Sequence, residues 1–246
     1  MNYDQLGSFI DIARKIIDII EQEEMEVIES AAEKVADSIS SDGLIHIFGT
    51  GHSHILAEEV FGRAGGFAPV NAILEPSLML HNGIKYSQFE RLKGYGSILC
   101  DYYDVSKNDV MIIISNSGVN AAPVEMALES VDRDAFTVAI TAMEYTKYLE
   151  ASHPSGKKLY QIADLVIDNK GVPGDAALKI EDLGQRIAPT STVSGAVILN
   201  SIFANVGKIM KDRGEEPPVF KSSNMEGAKV NNEELFERYK GRVKHF

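Results

Sequence analysis

"GTGHSHILAEEVFGR" occupies residues 49–63, directly after an apolar run at residues 44–48. Two glycines one residue apart after a strand mark a point where the backbone must come very close to something. A dinucleotide, a metal held by the two histidines and a phosphate on a small molecule are the three candidates. Each implies the same local geometry, a strand running through a glycine turn into a helix.

Outward from this turn the pattern repeats. Short β-rich runs at residues 44–48, 68–74, 110–115, 136–141 and 165–167 alternate with helical stretches. That alternation predicts parallel strands with crossover helices, a three-layer, doubly wound α/β sheet. Upstream, two helical stripes are expected in the first 42 residues. Leu6, Ile10, Ala13, Ile16, Ile17 and Ile20 form one; Met25, Ile28, Ala32, Val35 and Ile39 form the other, with a bend near Gln22. Downstream, "TSTVSGAVILNSIFANVGKIMKDRG" reads as a long helix capped by Thr or Ser after Pro189 and closed by Lys211, Arg213 and Gly214. "EEPPVF" then breaks the chain, and the tail is expected to hold one short helix near residues 232–240. The organisation is therefore N-terminal helices at 1–42, covering the core or an oligomer contact, a ligand-binding domain at 43–214 and a tail at 215–246. The connection at residues 75–96 is too long for an ordinary loop of such a fold, which marks it as functional or mobile.

The chain has 246 residues, 44% hydrophobic and 24% charged, values that argue against disorder. Its longest apolar runs, such as "VMIIIS", fall far below a membrane span, and the N-terminus lacks an uninterrupted apolar signal region. One cysteine, Cys100, excludes an internal disulfide and suits a reducing cytoplasm. The net charge of −12 disfavours nucleic acid and anionic membranes as partners. Residues 1–42 carry −8 of it, so local donors in the rest of the chain can still hold a small anion.

Three segments fall where helices start at the carboxyl ends of strands and are rich in small hydroxyls: residues 49–54, "SNSGVNAAP" at 115–123 and "APTSTVSG" at 188–195. Each one alone is explained by helix capping. All three at one sheet edge make a cluster of N–H and O–H donors suited to a phosphate monoester without any lysine. A dinucleotide fingerprint wants a third glycine where His54 stands, and no Gly-Lys-Ser/Thr sequence supports a Walker loop. A metal site would rest on His52 and His54 with His46 and His81. No Cys cluster or His-Glu-x-x-His helix supports it, so neither a cofactor nor a metal is expected. His46, in an apolar strand, and Cys100, with no adjacent base, read as core residues.

Together the three loops resemble the SIS (sugar isomerase) family of phosphosugar isomerases and phosphosugar-binding domains, over roughly residues 43–214. "SNSGVN" is similar to that family's Ser-x-Ser-Gly-x-Thr phosphate loop with Asn120 at the Thr position, "GTGHS" to its first glycine turn, and "APTST" to a stretch of the arabinose-5-phosphate isomerase branch. The resemblance implies a flavodoxin-like sheet, a homodimer or homotetramer, and sites shared between subunits. It places Ser53, Ser115, Ser117 and Asn120 on phosphate, with donors from Gly51 and Asn116, and Ser191 and Thr192 on the sugar. "SHILAEEVFGR" is most similar to the phosphoheptose isomerase branch, which makes Glu59 the catalytic carboxylate. That branch also keeps an acid/base histidine on its last core helix, and residues 190–211 contain none. In the N-acetylmuramate 6-phosphate etherase branch the catalytic Glu falls at Arg63.

Aldose–ketose isomerisation needs a base to move a proton between neighbouring carbons and an acid to serve the oxygen. Glu59 is the first base by this reading and Glu125 a reserve; His81, in the long connection, is the preferred partner, followed by His54. Two functions stay open: a phosphosugar isomerase, and a phosphosugar sensor without chemistry. No helix-turn-helix segment points to DNA.

Overall fold

The computed structural model describes residues 3, 4 and 6–246. Five parallel strands form the central sheet: β1 (Ile45–Gly49), β2 (Val70–Ala72), β3 (Val110–Ile114), β4 (Phe136–Thr141) and β5 (Leu165–Asp168), in the spatial order β2-β1-β3-β4-β5. This is the flavodoxin-like order, and its switch point lies between β1 and β3. In register, Ile47 lies beside Ile112, Ile112 beside Val138 and Ile140 beside Ile167. Every residue of β1 and β3 is buried, as in strands covered on both faces.

Alternation along the strands splits the core in two. Val110, Ile112 and Ile114 join helices α1 (Phe9–Glu23), α2 (Met25–Ser40), α3 (His54–Val60) and α8 (Ser191–Asp212) on one face. Met111 and Ile113 join α5 (Tyr95–Tyr102) and α6 (Ala121–Asp132) on the other. Cys100 sits in that second layer, where burial pushes its thiol up to about 11, which suits packing and not nucleophilic attack. The remaining helices are α4 (Lys85–Phe89), α7 (Met143–Tyr148) and α9 (Ala228–Tyr239). Helix α8 has 22 residues with mean hydropathy 1.4 in its most apolar window, a membrane span by length and composition alone. Its apolar side, with Ile198, Leu199, Ile202 and Val206, is spent in the core.

The sequence pattern and the structure differ in four places. The buried stripe of α1 is Ile12, Ile16 and Ile20, and Ile10 is 61% exposed. A run this rich in isoleucine offers two apolar faces, and packing chooses between them. The bend falls at Glu24 in place of Gln22, and α9 starts at Ala228, before the expected residue 232. A two-stranded antiparallel hairpin, β6 (Ala176–Leu178) with β7 (Ile187–Pro189), precedes α8 and was not expected. The tail is bound to the body: Gly65 N donates to Phe220 O at 2.8 Å and Ala68 N to Pro218 O at 2.8 Å, while Phe220, Tyr239 and Val243 pack on Leu44 and Ala68.

The α1–α2 junction is fixed by charge. Lys170, just after β5, is almost fully buried and bonds Glu24, Glu23 (3.0 Å) and Asp168 (3.4 Å). Burial works to lower the Lys170 pKa, but its carboxylate partners outweigh it and hold the ammonium well above the ordinary lysine value. Glu24 also accepts from Asp168 N at 3.1 Å, so one ion cluster ties the N-terminal helices to the end of the sheet. Lys170→Met removes the cation and strands the carboxylates. A loss of about 3–5 kcal/mol is expected by urea denaturation, as for other broken buried pairs; a variant within 1 kcal/mol of the parent would contradict it.

Candidate functional site

At the switch point the turns after β1 and β3 face each other across a cavity of about 250 Å³. Gly49 and Gly51 explain the first turn. A Cβ on Gly49 would meet Ser53 O at 2.5 Å, so the loop's own fold demands that glycine. Gly51 adopts φ +57°, and a Cβ there would come within 3.1 Å of the Tyr86 ring. The close approach read from the sequence is thus loop on loop before it is loop on ligand.

Gly51, Ser53, Ser115, Asn116, Ser117, Asn120 and Ser191 all line the cavity. The β3–α6 turn is its donor side. Ser115 Oγ accepts from Gly118 N at 3.1 Å, which curls the turn and leaves its own proton to point elsewhere. The amides of Ser117, Val119 and Asn120 bond no other described residue, and they stand at the positive end of α6. Asn116 is partly structural: its Oδ1 accepts from Asn169 Nδ2 at 2.9 Å and its carbonyl from Ala142 N at 3.2 Å, joining the ends of β3, β4 and β5.

The third loop is arranged differently from its reading as an open anion site. Asp175 Oδ1 accepts from the amides of Thr190 (3.1 Å) and Ser191 (2.9 Å), and its Oδ2 from the Ser191 hydroxyl at 2.7 Å. The N-terminus of α8 therefore already holds a carboxylate of the chain itself. Thr192 is exposed and outside the cavity lining.

None of the four expected acid/base residues lines the cavity. Glu59 is ion-paired with Arg63 one turn further along. Glu125 caps α5, accepting from Gly94 N (2.8 Å) and Gly96 N (3.1 Å), with His153 at 3.4 Å. His81 is exposed in a short 3₁₀ turn of the long connection. His54 is buried, with Nδ1 3.2 Å from Glu58 and no partner for Nε2 among the described residues. His46 is a core residue, bonded to Asp109 at 3.3 Å.

The carboxylates that do face the cavity are Glu90 and Asp175. Glu90, from the long connection, is 7% exposed; its Oε2 accepts from Thr50 Oγ1 at 2.9 Å and its carbonyl from Ala122 N at 2.9 Å. Tyr86, Tyr145 and His52 complete the wall. Of these, His52 stands in the turn already read from the sequence and the unusual length of the 75–96 connection pointed toward Tyr86 and Glu90, while Asp175 and Tyr145 gave no sign. No three His, Cys, Asp or Glu side chains among the described residues converge in a way that suits a metal ion.

With this geometry in view, the relatives are informative. The SIS domain family matches residues 8–142. The chain belongs to the SIS domain family. It is 46% identical over 239 residues to a UPF0309 protein of Halalkalibacterium halodurans, covering 97% of this chain and 96% of the relative, and 46% identical over 245 residues to one of Thermoanaerobacter pseudethanolicus, covering 98% and 99%. Among solved structures, this SIS chain is similar in fold to the phosphoheptose isomerases of Francisella tularensis (TM-score 0.56, 13% identity, 83% and 97% of the two chains) and Neisseria gonorrhoeae (TM-score 0.52, 18% identity, 81% and 94%).

Burial lowers the His54 pKa; Glu58 works against this and His81 adds to it. An unfolded chain then binds a proton at a pH where the folded SIS domain does not. The His54 contribution to stability is present above about pH 6.5, the unfolded value, and is lost as pH falls below it. Urea midpoints at pH 7.5 and 5.5 should therefore drop less for His54→Gln than for the parent. Equal drops would refute the assignment.

Proposed function

We propose that this SIS protein is a phosphosugar isomerase of the aldose–ketose type. The observation that carries the reading is the meeting, in one cavity, of a donor-rich turn at a helix N-terminus with a buried carboxylate, Glu90. The turn at 115–120 would hold phosphate through amides and the Ser115 and Ser117 hydroxyls, needing no lysine. Glu90 would take the proton from the carbon beside the sugar carbonyl and return it to the neighbouring carbon. Its bond from Thr50 Oγ1 fixes the carboxylate for that transfer. His52, on the cavity wall, would serve the substrate oxygen. The base role thus moves from Glu59 to Glu90, which comes from the long connection instead of α3. A homodimer or homotetramer belongs to the same proposal, supported by Ile180, Leu183 and Ile187, apolar and exposed at the β6–β7 hairpin.

Ser115→Ala combined with Ser117→Ala should weaken sugar-phosphate binding about tenfold or more, because each hydroxyl bond to a charged group is worth about 1.5–3 kcal/mol, with the circular dichroism unchanged. Unaltered affinity would remove the phosphate assignment. Glu90→Gln should slow solvent deuterium incorporation at the carbon beside the carbonyl by about 100-fold or more. Exchange at the parental rate would reject Glu90, and binding without exchange in the parent protein would make the chain a phosphosugar sensor.

A further inference from the structure

We propose that Glu125 is a positioning residue, which fixes the Glu90 carboxylate at the distance from the phosphate turn that proton transfer requires. The inference rests on the isomerase reading and gives a role to a buried acid that the cavity does not use. Glu125 is 8% exposed and lies outside the cavity lining. Its two oxygens are engaged separately: Oε1 accepts from Gly94 N at 2.8 Å and Oε2 from Gly96 N at 3.1 Å. His153 Nδ1 accepts from Ser155 N at 3.2 Å, which leaves the ring proton on Nε2, 3.4 Å from Glu125 Oε1. A carboxylate so engaged, away from the cavity, holds chain and does not meet substrate.

The segment it holds is the one that carries Glu90. The Glu90 carbonyl accepts from Ala122 N at 2.9 Å, and Ala122 stands three residues before Glu125 on α6. Residues 90–96 are thus fastened to one helix at two points, about 4.5 Å apart along its axis. The segment lies directly on that helix: a Cβ on Gly96 would fall 2.5 Å from Glu125 Cβ and 2.8 Å from Met126 N. Helix α5 continues the seat, with Cys100 Sγ 3.8 Å from Met126 Sδ. The start of α6 is also the end of the donor turn at 115–120. One rigid element therefore sets both the phosphate donors and the anchors of the base. Without Glu125, Glu90 is left to pivot on its single bond to Ala122, and its carboxylate is free to swing away from Thr50. A misplacement of about 1 Å is enough to cost on the order of 100-fold in rate.

The test is solvent deuterium incorporation into fructose 6-phosphate and sedoheptulose 7-phosphate by the full chain, scored on the ketose that the parent exchanges faster, with rates taken per folded chain by circular dichroism. Glu125→Gln keeps the side chain's shape but turns an NH2 group toward one of the two amides; kcat should fall about tenfold or more with KM within about twofold of the parent. Glu125→Asp keeps the charge but is one methylene too short for both amides, and should lose as much. Added to Glu90→Gln, Glu125→Gln should slow exchange by less than about twofold further, because a residue acting through Glu90 then has nothing left to position. Full additivity, a parental kcat in Glu125→Gln, or recovery of the parental rate by Glu125→Asp overturns the inference and leaves Glu90 standing as the base. Parental exchange in Glu90→Gln, or no exchange of either ketose by the parent, removes the isomerase reading itself and this inference with it.

Discussion

β1 and β3 lie side by side, yet the chain leaves them toward opposite edges of the sheet, to β2 on one side and β4 on the other. That divergence is the constraint on which the site depends. Two turns that would otherwise cover each other are parted, and a gap opens between two helix starts. The rest of the chain furnishes this gap. Tyr86 and Glu90 reach it from the connection after β2, Tyr145 from α7, and Asp175 from the turn just ahead of the β6–β7 hairpin.

The furnishing is unequal in charge. The turn after β3 offers amides and hydroxyls, while the start of α8, which by pattern would offer the same, is already capped by Asp175. The cavity is therefore lined by donors and by two carboxylates, where three equivalent donor loops would have made a uniform cradle.

Much of the fold was legible because it is local or repetitive. "VMIII" is apolar at every position since β3 is covered on both faces, and Phe136–Thr141 matches its predicted limits for the same reason. The switch-point turns were legible through Gly51, whose positive φ few other residues accept. The two carboxylates at the cavity were not. Glu90 reaches Thr50 across 40 residues, and Asp175 reaches the α8 amides across 15 and 16. A carboxylate just past a helix end or in a Gly-Asp turn carries no local mark of such a partner. The Glu59–Arg63 pair has the i,i+4 spacing that a sequence can show, but nothing local shows that Glu125 would cap the start of α5. The hairpin escaped notice because Ala176–Leu178 and Ile187–Pro189 are too short to show alternation.

Glu90 has a second duty that bears on how the site opens. Its carboxylate receives Thr50 and its carbonyl receives Ala122, so one residue fastens the 75–96 connection to both turns that bound the gap. Thermodynamic reciprocity then applies: whatever free energy a ligand gains by engaging that carboxylate must reappear as a change in how firmly the connection is clasped. The same side chain is therefore both a wall of the cavity and the fastening of the segment that covers it.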